Sequence, residues 1–129
     1  MSVLDVLRIM VVDDHISSRM VTVEALQQMG VKHISVAKDG REAFQKLNAE
    51  PVHLAISDLY MPDIDGFQLL RAIRAHPKLG KTGFIILTGR KDNSVVQNAV
   101  KLGVNNVIAK PFTPDVLKKS IESVVGKLN

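Results

Sequence analysis

The chain has no cysteine and no tryptophan. Without cysteine there can be no disulfide, no thiol nucleophile and no cysteine-ligated zinc or iron–sulfur centre, which is compatible with a reducing compartment. Aromatic residues are scarce, four phenylalanines and one tyrosine, so few rings exist to stack on nucleic-acid bases. No apolar run approaches the ~20 residues of a membrane span. The first segment, MSVLDVLRIMVVDD, has an acid inside its apolar patch and no small-residue cleavage site, unlike a secretory signal. Repeats, low-complexity tracts and Ser- or Pro-rich linkers are missing too. The four histidines (15, 33, 53 and 76) include no pair at helical or metal-ligand spacing, which argues against a histidine metal site. The net charge of +4 comes from 17 basic and 13 acidic residues. The basic residues are spread along the chain, a pattern of solubility or of steering toward an acidic partner rather than of a nucleic-acid footprint.

What is present is an alternation, repeated five times, of short apolar runs with amphipathic stretches. The runs are LRIMVV (7–12), HISVA (33–37), VHLAIS (52–57), FIILT (84–88) and NVIA (106–109). Their length and their Val and Ile content predict strands buried on both faces. Between them, Ile16, Met20, Val23 and Leu26 recur at helical spacing and Gly30 follows as a stop. Asp39 precedes Glu42 by three residues, close to a capping box, ahead of Phe44 and Leu47. Asp65 is placed to cap a third helix carrying Phe67, Leu70 and Ile73. A fourth carries Val96, Ala99 and Val100 and stops at Gly103. Thr113 and Pro114 open a fifth with Leu117, Ile121, Val124 and Leu128. Five strand–helix units in series predict a single α/β domain over 1–129, a parallel sheet covered by helices on both sides. Ligands of such sheets bind beyond the carboxyl ends of the strands.

Those ends carry a short set of polar residues. Asp13 and Asp14 follow the first strand, Asp58 the third, Thr88 ends the fourth, and the fifth runs into Lys110–Pro111. If the first and third strands are neighbours, ~4.8 Å apart, the three acids share one pocket. Two carboxylates 4 Å apart repel by about 4 kcal/mol at an effective dielectric of 20. A small hard cation offsets that, and Mg²⁺ takes one or two carboxylates together with water and phosphate oxygens. Thr88 and Lys110 are a neutral donor and a point charge suited to an anion beside the ion. The set describes a site for a phosphoryl group on a carboxylate, an established form of covalent chemistry. Asp63 and Asp65, by contrast, belong to the turn and helix start in MPDIDG.

VVDD (11–14), SDLYMPDIDG (57–66), ILTG (86–89) and AKPF (109–112) resemble, in order and interval, the receiver domain of two-component response regulators, the CheY-like proteins. The resemblance spans essentially the whole chain, and within the family it is to free-standing single-domain chemotaxis regulators of the alphaproteobacterial type. It implies a doubly wound (βα)5 sheet of order 2-1-3-4-5 and no output domain. It implies that Asp58 accepts a phosphoryl group from the phosphohistidine of a chemotaxis-type kinase. Asp13, Asp14, Asp58 and the backbone carbonyl of Tyr60 would hold Mg²⁺. Thr88 and Lys110 would engage the phosphoryl group, and the Lys110–Pro111 peptide is expected to be cis. The protein is then not an enzyme with an external substrate but a cytoplasmic, monomeric signalling protein. It would bind neither nucleic acid nor membrane, and its target, such as the flagellar motor switch, would dock on the fourth helix, fifth strand and fifth helix.

Several positions depart from the family pattern. Val107 stands where many receivers have Tyr or Phe, which places the switching burden on the loop 89–93. Leu59 stands where many chemotaxis regulators have Trp. Tyr60 and Arg90 flank the site in sequence, and a ring beside a guanidinium could stack over it. Within the family, a phosphate sink or a phosphorelay intermediate is the alternative to motor binding. Outside it, DIDG (63–66) matches the D-x-D-G of haloacid dehalogenase phosphotransferases in letters, but it follows Met-Pro rather than a buried strand. A flavodoxin-like FMN carrier shares the strand order but would need a hydroxyl-rich phosphate loop, which is missing.

Overall fold

A computed structural model describes residues 2–128. After a single helical turn, α1 (Val3–Val6), the chain runs β1 (Arg8–Val12), α2 (Ile16–Gln28), β2 (His33–Ala37), α3 (Gly40–Ala49), β3 (Leu54–Asp58), α4 (Gly66–Ala75), β4 (Gly83–Thr88), α5 (Asn93–Lys101), β5 (Asn106–Ala109) and α6 (Pro114–Val125). The five strands form one parallel sheet in the order β2-β1-β3-β4-β5. The fold is therefore the doubly wound α/β sheet expected from the sequence, with α1 as an addition too short to leave a periodic signal.

Successive side chains of a strand point to opposite faces, and the core divides accordingly. Met10, Val12, Ala55, Phe84 and Ile86 pack with Leu47 of α3, Leu69, Leu70 and Ile73 of α4 and Ala99 of α5. Ile9, Val11, Leu54, Ile56, Ile85 and Leu87 pack on the other face with Leu26 of α2 and with Leu117 and Ile121 of α6. A fully buried Leu, Ile or Phe stabilises by about 1.5–3 kcal/mol, so the two layers make β1, β3 and β4 the rigid centre of the molecule. Among the described residues no helix is long and apolar enough to cross a membrane.

Two expectations change. Burial on both faces holds for β1, β3 and β4, but β2 and β5 are the sheet edges and are only partly covered. On α2 the buried residues are Thr22, Ala25 and Leu26, whereas Ile16 and Met20 are 67% and 54% exposed. A 3.6-residue turn places Ile16 and Met20 on the outward side of the helix; the contact with the sheet runs along a different stripe. Likewise α5 buries Val95 and Ala99 and leaves Val100 exposed.

The caps at Asp39, Asp65 and Thr113 are those expected from the sequence, and Asp92 is an additional one. Asp39, Asp65, Asp92 and Thr113 each accept a hydrogen bond from a backbone N–H in the first turn of α3, α4, α5 and α6. In α3 the reciprocal contact differs from a capping box, since Glu42 accepts from Lys38 N, one residue before the cap.

Candidate phosphoacceptor site

The carboxyl ends of β1, β3, β4 and β5 open on one pocket. The register pairs Val12 with Ser57, so the residues that follow, Asp13 and Asp58, emerge side by side. Asp58 pairs with Leu87 and Thr88 with Ala109, which puts Thr88 and Lys110 on the other flank of Asp58.

Asp13 is 2% exposed. Its Oδ1 accepts from His15 N at 3.0 Å, its Oδ2 faces Lys110 Nζ at 3.3 Å, and its carbonyl accepts from Arg19 Nη1 at 2.8 Å. Asp14 Oδ1 is buried and accepts no hydrogen bond from the described residues; His15 Nδ1 lies 3.3 Å from it without hydrogen-bonding geometry. Asp58 Oδ1 accepts from Leu59 N at 2.9 Å and lies 3.6 Å from Lys110 Nζ. Burial pushes the Asp58 carboxyl above its ordinary range and Asp13 pushes the same way, while the Lys110 charge opposes both. Lys110 Nζ also donates to Ser18 Oγ at 2.9 Å, so the ammonium is held by Ser18 and Asp13 and stands slightly farther from Asp58. Thr88 is fully buried, with its hydroxyl accepting from Arg90 N at 3.1 Å. The Lys110–Pro111 peptide is cis.

Gly66 explains why the loop after β3 ends in glycine. A Cβ there would lie 2.7 Å from Asp58 O and 3.0 Å from Leu59 Cα, so only glycine lets α4 start against the end of β3. Asp63 takes φ +69° in the preceding turn. Asp65 caps α4, accepting from Gln68 N at 2.8 Å while Gln68 Oε1 accepts from Asp65 N at 2.9 Å. Neither acid joins the pocket, and the D-x-D-G reading has no structural basis.

The pocket fits a divalent cation. Asp13, Asp14, His15 and Asp58 each offer a donor atom within 4.8 Å of the others, and an unpartnered buried carboxylate oxygen such as Asp14 Oδ1 is costly unless a cation or proton satisfies it. Hard oxygen donors of this kind suit Mg²⁺.

Two sequence readings are modified. Tyr60 is 54% exposed, and the Arg90 guanidinium pairs with Asp92 at 3.2 Å rather than stacking on it. His15, set aside because it has no histidine partner at ligand spacing, lies in the acidic cluster; the cluster is assembled across strands, so spacing along the chain could not reveal it. Ser18 and Arg19, which hold Lys110 and Asp13, belong to no motif in the sequence. Their one signal is position, a single helical turn after the paired aspartates.

The chain matches the response regulator receiver domain model over residues 9–122. It is 44% identical to the probable chemotaxis protein CheY of Rhizobium etli over 99% of both chains. It is 36% identical to the chemotaxis protein CheY1 of Helicobacter pylori, covering 93% of this chain and 98% of that one. Among solved structures, the chemotaxis protein CheY4 of Vibrio cholerae superposes with a TM-score of 0.85 at 31% identity, over 92% of this chain and 98% of that one. A putative response regulator of Chloroflexus aurantiacus gives a TM-score of 0.87 at 27% identity, over 93% of this chain and 98% of that one.

Proposed function

The chain belongs to the response regulator receiver family, and on that premise we propose that it is a chemotaxis regulator switched by phosphorylation of Asp58. The observation that supports this most is the β1–β3 register, which sets Asp58 beside Asp13 and places Lys110 within 3.6 Å of its carboxylate. Asp13, Asp14, Asp58 and the Tyr60 carbonyl would hold Mg²⁺. When bound, the ion neutralises charge between the carboxylates and the incoming phosphoryl group.

The side chains carry the rest. An Asp58 carboxylate oxygen attacks the phosphorus of a kinase phosphohistidine; the new O–P bond forms as the P–N bond breaks, and the imidazole leaves with the electron pair. Lys110 turns from Ser18 toward the phosphoryl oxygens. Thr88 donates its hydroxyl to the same group and carries with it the Arg90 backbone that it holds at 3.1 Å. Because Val107 offers no aromatic ring to rotate, the change passes into the loop 89–93 and from there to the face formed by α5, β5 and α6. Unchanged amide exchange in 89–93 on phosphorylation overturns that route. The added charge of about −1.5 to −2 and three acceptor oxygens need only bias two arrangements a few kcal/mol apart.

The reaction modifies the chain itself, with slow hydrolysis returning it, and turns over no external substrate. The protein acts as a cytoplasmic monomer on an acidic partner such as the flagellar motor switch, which Arg90, Lys91, Lys101, Lys118 and Lys119 suit in charge. The test is binding of the motor-switch N-terminal peptide to phosphorylated and unphosphorylated protein. Tighter binding after phosphorylation supports a motor regulator. Equal, negligible binding in both states, with phosphoryl transfer from the kinase intact, points instead to a phosphate sink or relay.

A further inference from the structure

His15 stands in the acidic pocket, and the receiver chemistry gives its ring no task. It is the N-cap of α2 but makes no side-chain cap hydrogen bond. Its backbone N–H is fixed by Asp13 Oδ1 at 3.0 Å. That turn brings Nδ1 to 3.3 Å from Asp14 Oδ1 and 3.8 Å from Asp13 Oδ1. Two donors bound to one ion at about 2.1 Å stand about 3.0 Å apart when adjacent and about 4.2 Å apart when opposite. The separations at His15 fall between those limits. The oxygen that the ring approaches is also the buried one that accepts no hydrogen bond, so an ion placed between them would satisfy both.

We propose that His15 Nδ1 is a fourth side-chain ligand of this pocket and gives it selectivity for borderline divalent ions, Zn²⁺ foremost, over Mg²⁺. The inference rests on the reading of Asp13, Asp14 and Asp58 as a metal pocket. Carboxylates alone suit Mg²⁺, whereas imidazole suits Zn²⁺, Ni²⁺ and Cu²⁺. Mg²⁺ keeps water in its remaining positions and gains little from a nitrogen donor. Carboxylate sites already bind transition ions more tightly than Mg²⁺; what His15 adds is the part of that preference that depends on nitrogen. The His15 side chain is 70% exposed, so the ring can turn onto an ion without disturbing the core, and its replacement leaves the fold intact.

The test is calorimetric titration of the full chain with ZnCl2 and with MgCl2, in wild type and His15→Gln, together with ring-nitrogen NMR spectra that resolve His15 from His33, His53 and His76. Loss of even an outer-shell partner costs about 10–100-fold in metal affinity. The expected result is therefore a fall of at least about tenfold in the Zn²⁺ to Mg²⁺ affinity ratio in His15→Gln, and a displaced His15 Nδ1 resonance in wild type with Zn²⁺ but not with Mg²⁺. An unchanged ratio with an unmoved His15 resonance, while Mg²⁺ still binds, overturns the role of His15 alone and leaves it an ion-pair neighbour of the acids. Failure of wild type to bind either ion overturns the metal pocket itself and this inference with it.

Discussion

Lys110 lies 3.3 Å from Asp13 Oδ2 and 3.6 Å from Asp58 Oδ1, with its side chain 22% exposed. Removing one partner from a largely buried ion pair leaves the other charge uncompensated, at a cost of about 3 kcal/mol. Lys110→Ala is therefore expected to lower the urea-unfolding free energy by about that amount in the absence of divalent cations, and added Mg²⁺ to restore part of it by binding the native state. An unchanged unfolding midpoint would show that Lys110 does not balance the acids. Asp13, Asp14, Asp58, Thr88 and Lys110 were legible in the sequence because each directly follows or ends an apolar run. His15, Ser18 and Arg19 were not, because their contacts depend on the path of the chain into α2 and on how that helix is rotated on the sheet.

Elements position these residues through their ends. Gly66 abuts Asp58 O and Leu59 Cα, so Gly66→Ala forces backbone against backbone. The expected outcome is a loss of about 1–3 kcal/mol from overpacking, together with slower phosphorylation of Asp58 because the end of β3 shifts. Equal labelling rates in wild type and Gly66→Ala would mean that α4 does not position the acceptor. At the start of α5, the Val95 N–H holds the Asp92 carboxyl below its ordinary range, with Ser94 and Arg90 adding to the effect. A lowered carboxyl pKa stabilises the folded form above the unfolded-state value and loses that effect as pH falls through the folded value. Protection of the Val95 and Val96 amides relative to their intrinsic exchange rates is thus expected to fall below the ordinary carboxylate range, and Asp92→Asn, which still caps, to abolish that loss. The strand pattern and the caps at Asp39, Asp65 and Thr113 were readable because they are local, whereas the Asp92 cap of α5 was not singled out by its sequence. The buried stripe of α2 was not: apolar Ile16 and Met20 face outward and Thr22 inward, bonding back to Ser18 O at 3.4 Å, so hydrophobicity alone misplaces the contact.

At the scale of the whole molecule, strands distant in sequence bring Asp13, Asp58, Thr88 and Lys110 to one end of a single sheet, with two cores holding β1, β3 and β4 in register. The order of five units was legible as alternation and its topology through the family motifs. Which surface a partner reads was not, since exposed residues carry no periodic constraint. On the proposed function, this assembly takes up a phosphoryl group on Asp58 with the help of a divalent ion. That uptake is tested most directly by intact mass after incubation with acetyl phosphate, with and without Mg²⁺, for wild type and Asp58→Asn. The expected result is a single phosphoryl increment that requires both Mg²⁺ and Asp58. An increment that persists in Asp58→Asn, or none in folded wild type with Mg²⁺ bound, would contradict it.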